Sequence, residues 1–291
     1  MNELDFYSHT KINENLYQIV ESYAPCTDPG LGNGSRFNIY VVIGMDKIAV
    51  IDAGLGAVDG LRKYIEKNLP IENKPIECYL THAHPDHVGG SMLFERIFMH
   101  PGELWDLEWN TNIERRLSDL ELFADYREDV QTFCKVHCVP RLTEERINLI
   151  EDGERIDLGE ISLKVIRIPG HTHGSVGYYN EKENYILSGD CLQILNSYSG
   201  GIDALKEYYL QLNKFIESMP ADLQIGSGHD ALIHTMDVPK WMLQGLDDVI
   251  SGRNLEKDVP RPSRFKMTHD KKKNMMHFVG DIKVVYDQNC M

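Results

Sequence analysis

Nowhere in the 291 residues does an apolar run approach the roughly 18 that a membrane-spanning helix needs, so a membrane-embedded protein is not expected. Basic residues are also in short supply. Thirty Lys and Arg stand against 45 Asp and Glu, a formal net charge of −15. Such a chain repels nucleic-acid phosphates and anionic membrane surfaces, and neither is expected as a partner. The opening Met1-Asn2-Glu3-Leu4-Asp5 has no basic flank and no apolar stretch, so no secretory leader is read there and a cytoplasmic location is expected. Cysteine is sparse. Cys26, Cys78, Cys134, Cys138, Cys191 and Cys290 are too scattered for a disulfide framework in a chain this long and are expected as reduced thiols. Cys134 and Cys138 flank His137 in imitation of a metal site, but they lack a second ligand pair and lie in a helical pattern, which favours a structural role. No low-complexity segment, long linker or short repeat is present.

What remains is an ordinary globular composition, 42% hydrophobic and 26% charged, in a chain long enough to bury a real core. β-Rich runs are expected at 16–20, 37–43 and 47–52, with Met45-Asp46 as a tight turn between the last two. Helical spacing over 60–68 ends before Pro70. A short strand at 78–80, a helical stretch at 91–96 and a strand at 97–100 follow. Residues 103–135 differ: Ile113, Leu117, Leu120 and Ala124 fall on one helical face, continued by Tyr126, Val130 and Phe133, while nine acids face four bases. Strands return at 161–168, 176–179 and 185–187. Helix is expected at 204–218 and 239–251, strand at 223–225 and 275–286. The order suggests an α/β fold of two similar halves packed sheet to sheet with helices outside, as a single unit over 1–291 with 103–135 as a helical insertion and 261–291 as a C-terminal tail.

Chemistry concentrates in Thr81-His82-Ala83-His84-Pro85-Asp86-His87, where a strand runs into three histidines and an aspartate. On extended backbone, positions 82 and 84 share a side, and the turn at Pro85 brings Asp86 and His87 round to a second point. Imidazoles with one carboxylate suit zinc and similar divalent ions. Three more candidate ligands stand where strands give way to glycine-rich loops: His171 after Pro169-Gly170, Asp190 after Gly189, and His229 after Gly228. Strand-end ligands in open α/β folds converge at one sheet edge.

Together these residues resemble the metallo-β-lactamase superfamily of metallohydrolases, from Phe37 to about Trp241. The resemblance implies an αββα sandwich. It implies His82, His84 and His171 as ligands of one metal, Asp86, His87 and His229 as ligands of a second, and Asp190 as the bridging carboxylate. Asp52, in Ile51-Asp52-Ala53-Gly54, matches the family's strand-end aspartate, which supports the histidine loop from behind. The implied cofactors are two divalent ions, zinc first, with manganese or iron as alternatives. The implied activity is hydrolysis: a hydroxide shared by the two ions attacks a carbonyl centre of a small molecule (thioester, lactone, ester or amide), with Asp86 as the catalytic residue that orients it and handles its proton.

Within that family the substrate is chosen by the covering elements. Trp105 and Trp109 make the insertion aromatic and are candidates for substrate binding. Tyr198, as an oxyanion donor, and His173, where many relatives carry a small residue, are further candidates. His100, His234 and Cys191 read as structural. The tail is basic, with Arg261, Arg264, Lys266 and Lys271-Lys272-Lys273 giving 261–291 a net +4 against −19 elsewhere. It is expected chiefly to match the acidic insertion of the same or a neighbouring subunit; the alternative is that part of it lies over the site and meets a substrate carboxylate or phosphate, and a homo-oligomer is left open. Three alternatives stand beside the hydrolase: a mononuclear-iron persulfide dioxygenase of the same fold, against which the full second ligand set counts; a phosphodiesterase, which lacks a broad basic surface here; and a non-enzymatic binding protein, which would be expected to have lost ligands.

Overall fold

The computed structural model describes residues 1–24, 36–125, 127–198, 200–231, 233–261, 266–267 and 273–288. Cys26, Tyr126, Arg264, Lys271, Lys272 and Cys290 lie outside the described residues.

β1 (Tyr7–Lys11), β2 (Leu16–Ser22), β3 (Arg36–Ile43), β4 (Ile48–Ile51), β5 (Ile76–Tyr79), β6 (Arg96–Met99) and β7 (Ile147–Leu149) form one sheet in that order. Pairing is antiparallel up to β4 and parallel beyond it, where α1 (Leu61–Asn68) supplies the crossover between β4 and β5. A second sheet contains β8 (Arg155–Asp157), β9 (Ser162–Arg167), β10 (Val176–Asn180) and β11 (Tyr185–Gly189). After the short β12 (Leu195–Ser197) it is completed by β13 (Gln224–Ser227), in the order β13-β11-β10-β9-β8. β14 (Val259–Pro260), β15 (Asn274–Val279) and β16 (Ile282–Asp287) join β12 in a third, four-stranded sheet. The other helices are α2 (Pro85–Val88), α3 (Leu107–Asn110), α4 (Ile113–Phe123), α5 (Glu128–His137), α6 (Ile202–Ser218) and α7 (Asp237–Ser251).

The period-two pattern of the strands sorts side chains between layers. In β3, Phe37, Ile39, Val41 and Ile43 pack beneath the helices of the first half, while Tyr40 and Val42 face the second sheet. In β4, Ile48 and Val50 take the helix side and Ala49 and Ile51 the inter-sheet side. β10 and β11 repeat this: Val176, Tyr178, Tyr185 and Leu187 meet the first sheet, and Tyr179 and Ile186 meet α6 and α7. The result is the expected αββα sandwich. Among the described residues the third sheet has no counterpart in the first half.

Several local expectations need correction. The stretch 91–96 is one 3₁₀ turn, Ser91–Leu93, followed by a strand that already starts at Arg96. The tail strand is a hairpin, with β15 and β16 paired from Asn274↔Asp287 to Val279↔Ile282. The insertion is three α-helices rather than a continuous pattern. Its buried face in α4 is Arg116, Asp119, Leu120 and Phe123, which leaves Ile113 38% exposed. An arginine can occupy that face because its guanidinium is satisfied by backbone. Nη1 donates to the carbonyls of Leu55 (3.2 Å), Gly56 (3.3 Å) and Gly89 (2.8 Å), and Nη2 donates to Val139. Arg116 thus pins the insertion to the loops after β4 and α2.

Removing that side chain should leave the buried carbonyls of Leu55 and Gly89 short of a donor, while Gly56 O keeps Val139 N (2.9 Å) and Val139 O keeps the Cys138 thiol (3.7 Å). Arg116→Met is expected to cost about 2–4 kcal/mol in urea unfolding. Arg116→Lys, with one charged nitrogen, should recover only part of this; equal stability of Arg116→Met and the parent would refute the pin.

Candidate metal centre

The candidate ligands cluster where strands of both sheets end. β4 stops at Ile51, and Asp52 takes a left-handed backbone (φ 63°), a conformation Asp tolerates better than most side chains. The turn directs its carboxylate at the segment after β5. Oδ1 accepts from Thr81 N (2.8 Å), and Oδ2 accepts from Thr81 Oγ1 (2.8 Å) and His87 Nδ1 (2.8 Å). With its hydroxyl proton given to Asp52, Thr81 Oγ1 accepts from His82 Nδ1 at 3.0 Å. Pro85 opens α2, with His84 as its N-terminal flank, so Asp86 and His87 turn back over the end of β5 as the sequence suggests.

Two further candidates are held by the same device. His171 Nδ1 donates to Ser197 O (3.2 Å) and His229 Nδ1 donates to Arg36 O (2.8 Å). Four histidines therefore carry their proton on Nδ1 and present Nε2 to a common centre, the usual arrangement around a protein-bound metal. His84 presents Nδ1, 3.1 Å from His82 Nε2 and 2.8 Å from His171 Nε2. Asp190 lies in the middle. Its Oδ2 is 3.4 Å from His171 Nε2 and 3.3 Å from His229 Nε2, and its Oδ1 is 3.3 Å from His87 Nε2. Asp86 Oδ2 is 3.3 Å from His229 Nε2 and 3.8 Å from His87 Nε2. Gly228 is required here, since a Cβ on it would stand 2.3 Å from Asp190 Oδ1.

Three sets of side chains could each hold an ion: His82, His84 and His171; Asp86, His87 and His229; and His82, His87 and Asp190. The donor atoms fit a cation. The single proton of a neutral His84 cannot serve both of its imidazole neighbours, so nitrogen lone pairs face one another. Among the described residues, His87 Nε2 and Asp190 Oδ1 are buried without a hydrogen bond. The electrostatics divide the site. Burial keeps His82 and His171 neutral and, reinforced by His171, lowers His84 to about 3. At His87 burial is outweighed by Asp190, Asp52 and Asp86, which raise it to about 10, and Asp190 and Asp86 likewise raise His229. Burial opposes the charges of Asp86 and Asp190, yet the adjacent imidazoles hold both below the usual carboxylate range. The acidic half takes up protons where a cation would displace them.

The other sequence candidates lie as follows. Trp109 stands beneath the Arg115 guanidinium, 5.1 Å from ring centre to Cζ. Trp105 is 75% exposed on the 3₁₀ turn Pro101–Asp106. His173 is exposed, and its carbonyl accepts from Arg167 Nη2 (2.9 Å). Tyr198 is buried against Gly170 and Tyr208, not on the surface. His100 caps a turn by accepting from Gly102 N (3.1 Å), His234 pairs with Asp230 (2.8 Å), and Cys134 and Cys191 are buried free thiols. Lys266 of the tail pairs with Glu121 on α4.

Sequence reasoning missed Glu103 as a site residue. It is buried between the two ligand loops, with Oε2 accepting from Ala83 N (2.7 Å) and Oε1 from Thr172 Oγ1 (2.6 Å) and Gly174 N (2.7 Å). Its place just beyond β6, matching Asp52 beyond β4, was the available signal. Glu21 was missed too. It accepts from Leu55 N (2.6 Å), Tyr23 Oη (2.6 Å) and Tyr7 Oη (3.2 Å), and so fixes the loop after Asp52.

The chain belongs to the metallo-beta-lactamase superfamily, whose family model matches residues 36–229. It is similar to the acyl-coenzyme A thioesterase MBLAC2 of Gallus gallus, with 30% identity over 198 residues, 65% of this chain and 67% of that protein. The Homo sapiens MBLAC2 is 29% identical over 202 residues, 65% of this chain and 68% of that one. The hydroxyacylglutathione hydrolase GloC of Haemophilus influenzae is 30% identical over 155 residues, 53% of this chain and 63% of that protein. Among solved structures, a metallo-beta-lactamase family protein from Thermus thermophilus shares the fold at TM-score 0.54 and 22% identity, covering 83% of this chain and 80% of its own. The relatives named as thioesterase and hydrolase, with the family match, make this chain a hydrolase. No helix among the described residues is long and apolar enough to cross a membrane.

Glu21 generates a pH test. Burial raises its carboxyl from 4.5 to about 7, against the hydrogen bonds from Tyr23, Leu55 and Tyr7. A raised carboxyl stabilises the fold in its neutral form, fully below pH 4.5, and loses that contribution as pH rises through about 7. Glu21→Gln should flatten the fall in urea stability between pH 4.5 and 7 by about 3 kcal/mol. Parallel profiles for the two proteins would contradict this.

Proposed function

We propose that this chain is a dinuclear-metal thioesterase acting on a small-molecule acyl thioester in the cytoplasm. The observation that carries the reading is Asp190, with its two oxygens 3.3–3.4 Å from the Nε2 atoms of His87, His171 and His229, between two complete ligand sets. The thioester is supported by the acyl-CoA and hydroxyacylglutathione activities named for two relatives, both of which cleave a carbonyl–sulfur bond. The free thiols Cys78, Cys134, Cys138 and Cys191 support a reducing compartment.

His82, His84 and His171 would hold one ion, Asp86, His87 and His229 the other, and Asp190 would touch both. Divalent ions there, zinc first, would supply Lewis-acid polarisation of the carbonyl and a water acidified to near neutrality. The chain's own residues do the rest. Asp86 orients the attacking water and takes its proton, so that oxygen bonds to the carbonyl carbon as the carbon–sulfur bond breaks. The proton then passes from Asp86 to the departing sulfur, giving a carboxylic acid and a thiol. Asp52, Thr81, Ser197 and Arg36 keep the imidazoles from rotating, and Glu103 keeps the loops of His82 and His171 in register.

Protein purified without chelator should carry close to two equivalents of zinc, manganese or iron by elemental analysis and hydrolyse acyl thioesters. Asp86→Asn should lower turnover at least ~10²-fold with the fold retained, while His173→Ala should change it far less. One equivalent of iron together with persulfide-dependent oxygen uptake would replace the hydrolase reading with a dioxygenase.

A further inference from the structure

We propose that Arg115, on the helical insertion, is the residue with which this chain reads an anionic group, a carboxylate or a phosphate, on its substrate. The inference rests on the hydrolytic site proposed above and concerns what else that site's ligand must carry. Arg115 lies in the first turn of α4, which Asn112 caps by accepting from Arg115 N (3.1 Å). Its guanidinium stacks on Trp109 at 5.1 Å, and Nη1 donates to Asn110 Oδ1. The helix that carries it lies against the proposed centre: the next residue, Arg116, donates to the carbonyl of Gly89 (2.8 Å), two residues past His87, and Phe123 packs on Phe37 (4.9 Å), whose ring meets His229 (5.8 Å).

Arg115 is incompletely used. Its side chain is 16% exposed, and among the described residues Nε is buried without a hydrogen bond. Asp119 Oδ2 approaches only to 3.8 Å, beyond hydrogen-bonding range, and Asp119 Oδ1 is itself buried with no hydrogen-bond partner among the described residues. Arg116, the next residue, shows the structural alternative: its two Nη atoms reach four backbone carbonyls. A guanidinium that is always charged, flat against an indole and short of acceptors beside a reaction centre is suited to bidentate capture of a carboxylate or phosphate. The setting makes the cation selective, because the insertion around it carries nine acids against four bases and otherwise turns anions away. Asp119 occupies the position of a weak internal competitor, close enough to hold Arg115 in place and too far to satisfy it.

The test is calorimetric and needs no turnover. Three non-hydrolysable thioethers with the same alkyl chain serve as probes: S-alkyl coenzyme A, with phosphates on the thiol side; an ω-carboxyalkyl N-acetylcysteamine, with a carboxylate on the acyl side; and the neutral S-alkyl N-acetylcysteamine. The metal-loaded parent should bind at least one anionic probe more tightly than the neutral one, and which one identifies the source of the anion. Arg115→Met should weaken that probe at least ~10-fold and the neutral probe less than ~3-fold, and Arg115→Lys should recover part of the loss. Asp119→Asn, which removes the competitor, should tighten the anionic probe ~3-fold or more, a change that a loss of folding cannot imitate. No preference for either anionic probe in the parent, or equal weakening of all three by Arg115→Met, would overturn the proposal. A parent that binds the anion through Arg115 yet cleaves no thioester would overturn the thioesterase reading and leave this one standing.

Discussion

Everything at the proposed centre depends on fixing imidazoles from behind. A histidine has two nitrogens, and a buried ring that must offer one lone pair inward has to place its N–H somewhere. Asp52, Thr81, Ser197 and Arg36 are the four places, two of them side chains and two backbone carbonyls. The carbonyl cases are informative. Ser197 ends a strand of the third sheet and Arg36 begins one of the first, so the orientation of two rings is set by sheet register and not by any neighbouring side chain.

The two main sheets are also locked to each other at this edge. Asn38 of β3 donates from Nδ2 to the carbonyls of Ser227 (2.9 Å) and Asp230 (2.8 Å), clamping the loop that carries His229. Val176 N donates to Thr81 O (2.9 Å) and Tyr178 Oη to Leu80 O (2.7 Å), tying β10 to the start of the histidine loop. Ligand sets drawn from both halves can hold a common geometry only because such hydrogen bonds cross between the sheets. Apolar packing alone would fix the separation of the layers but leave them free to slide.

Much of this was legible in the sequence, for reasons of scale. His82 to His87 is a local pattern in which strand alternation and the turn at Pro85 determine where side chains point, and His171, Asp190 and His229 each carry a strand-end and glycine signature. The two-half α/β arrangement followed from the order of strand and helix signals, and the αββα sandwich from the family resemblance. What was not legible depends on contacts distant along the chain. Glu103 reads as one acid among nine in an acidic stretch, and only the approach of Ala83, Thr172 and Gly174 marks it out. Arg116 went unnamed on the buried face for a related reason. Helical periodicity assigns burial by hydrophobicity, and a fully buried arginine is possible only where loops converge to supply carbonyls. The short strands β1, β7, β8, β12 and β14 lack the length or composition for a strand signal and exist because a neighbour offers an edge.

One of those short strands affects how the protein is made. β12 pairs in parallel with β16, and Tyr198 N donates to Val285 O (2.9 Å) immediately beyond the carbonyl that orients His171. During synthesis all seven proposed ligands, from His82 to His229, leave the ribosome before residues 282–287 do. A nascent chain stopped between those points has every proposed ligand but no strand behind Ser197. The last element translated among those described therefore completes the support of the proposed centre, so candidate ligands that emerge early are fully braced only late.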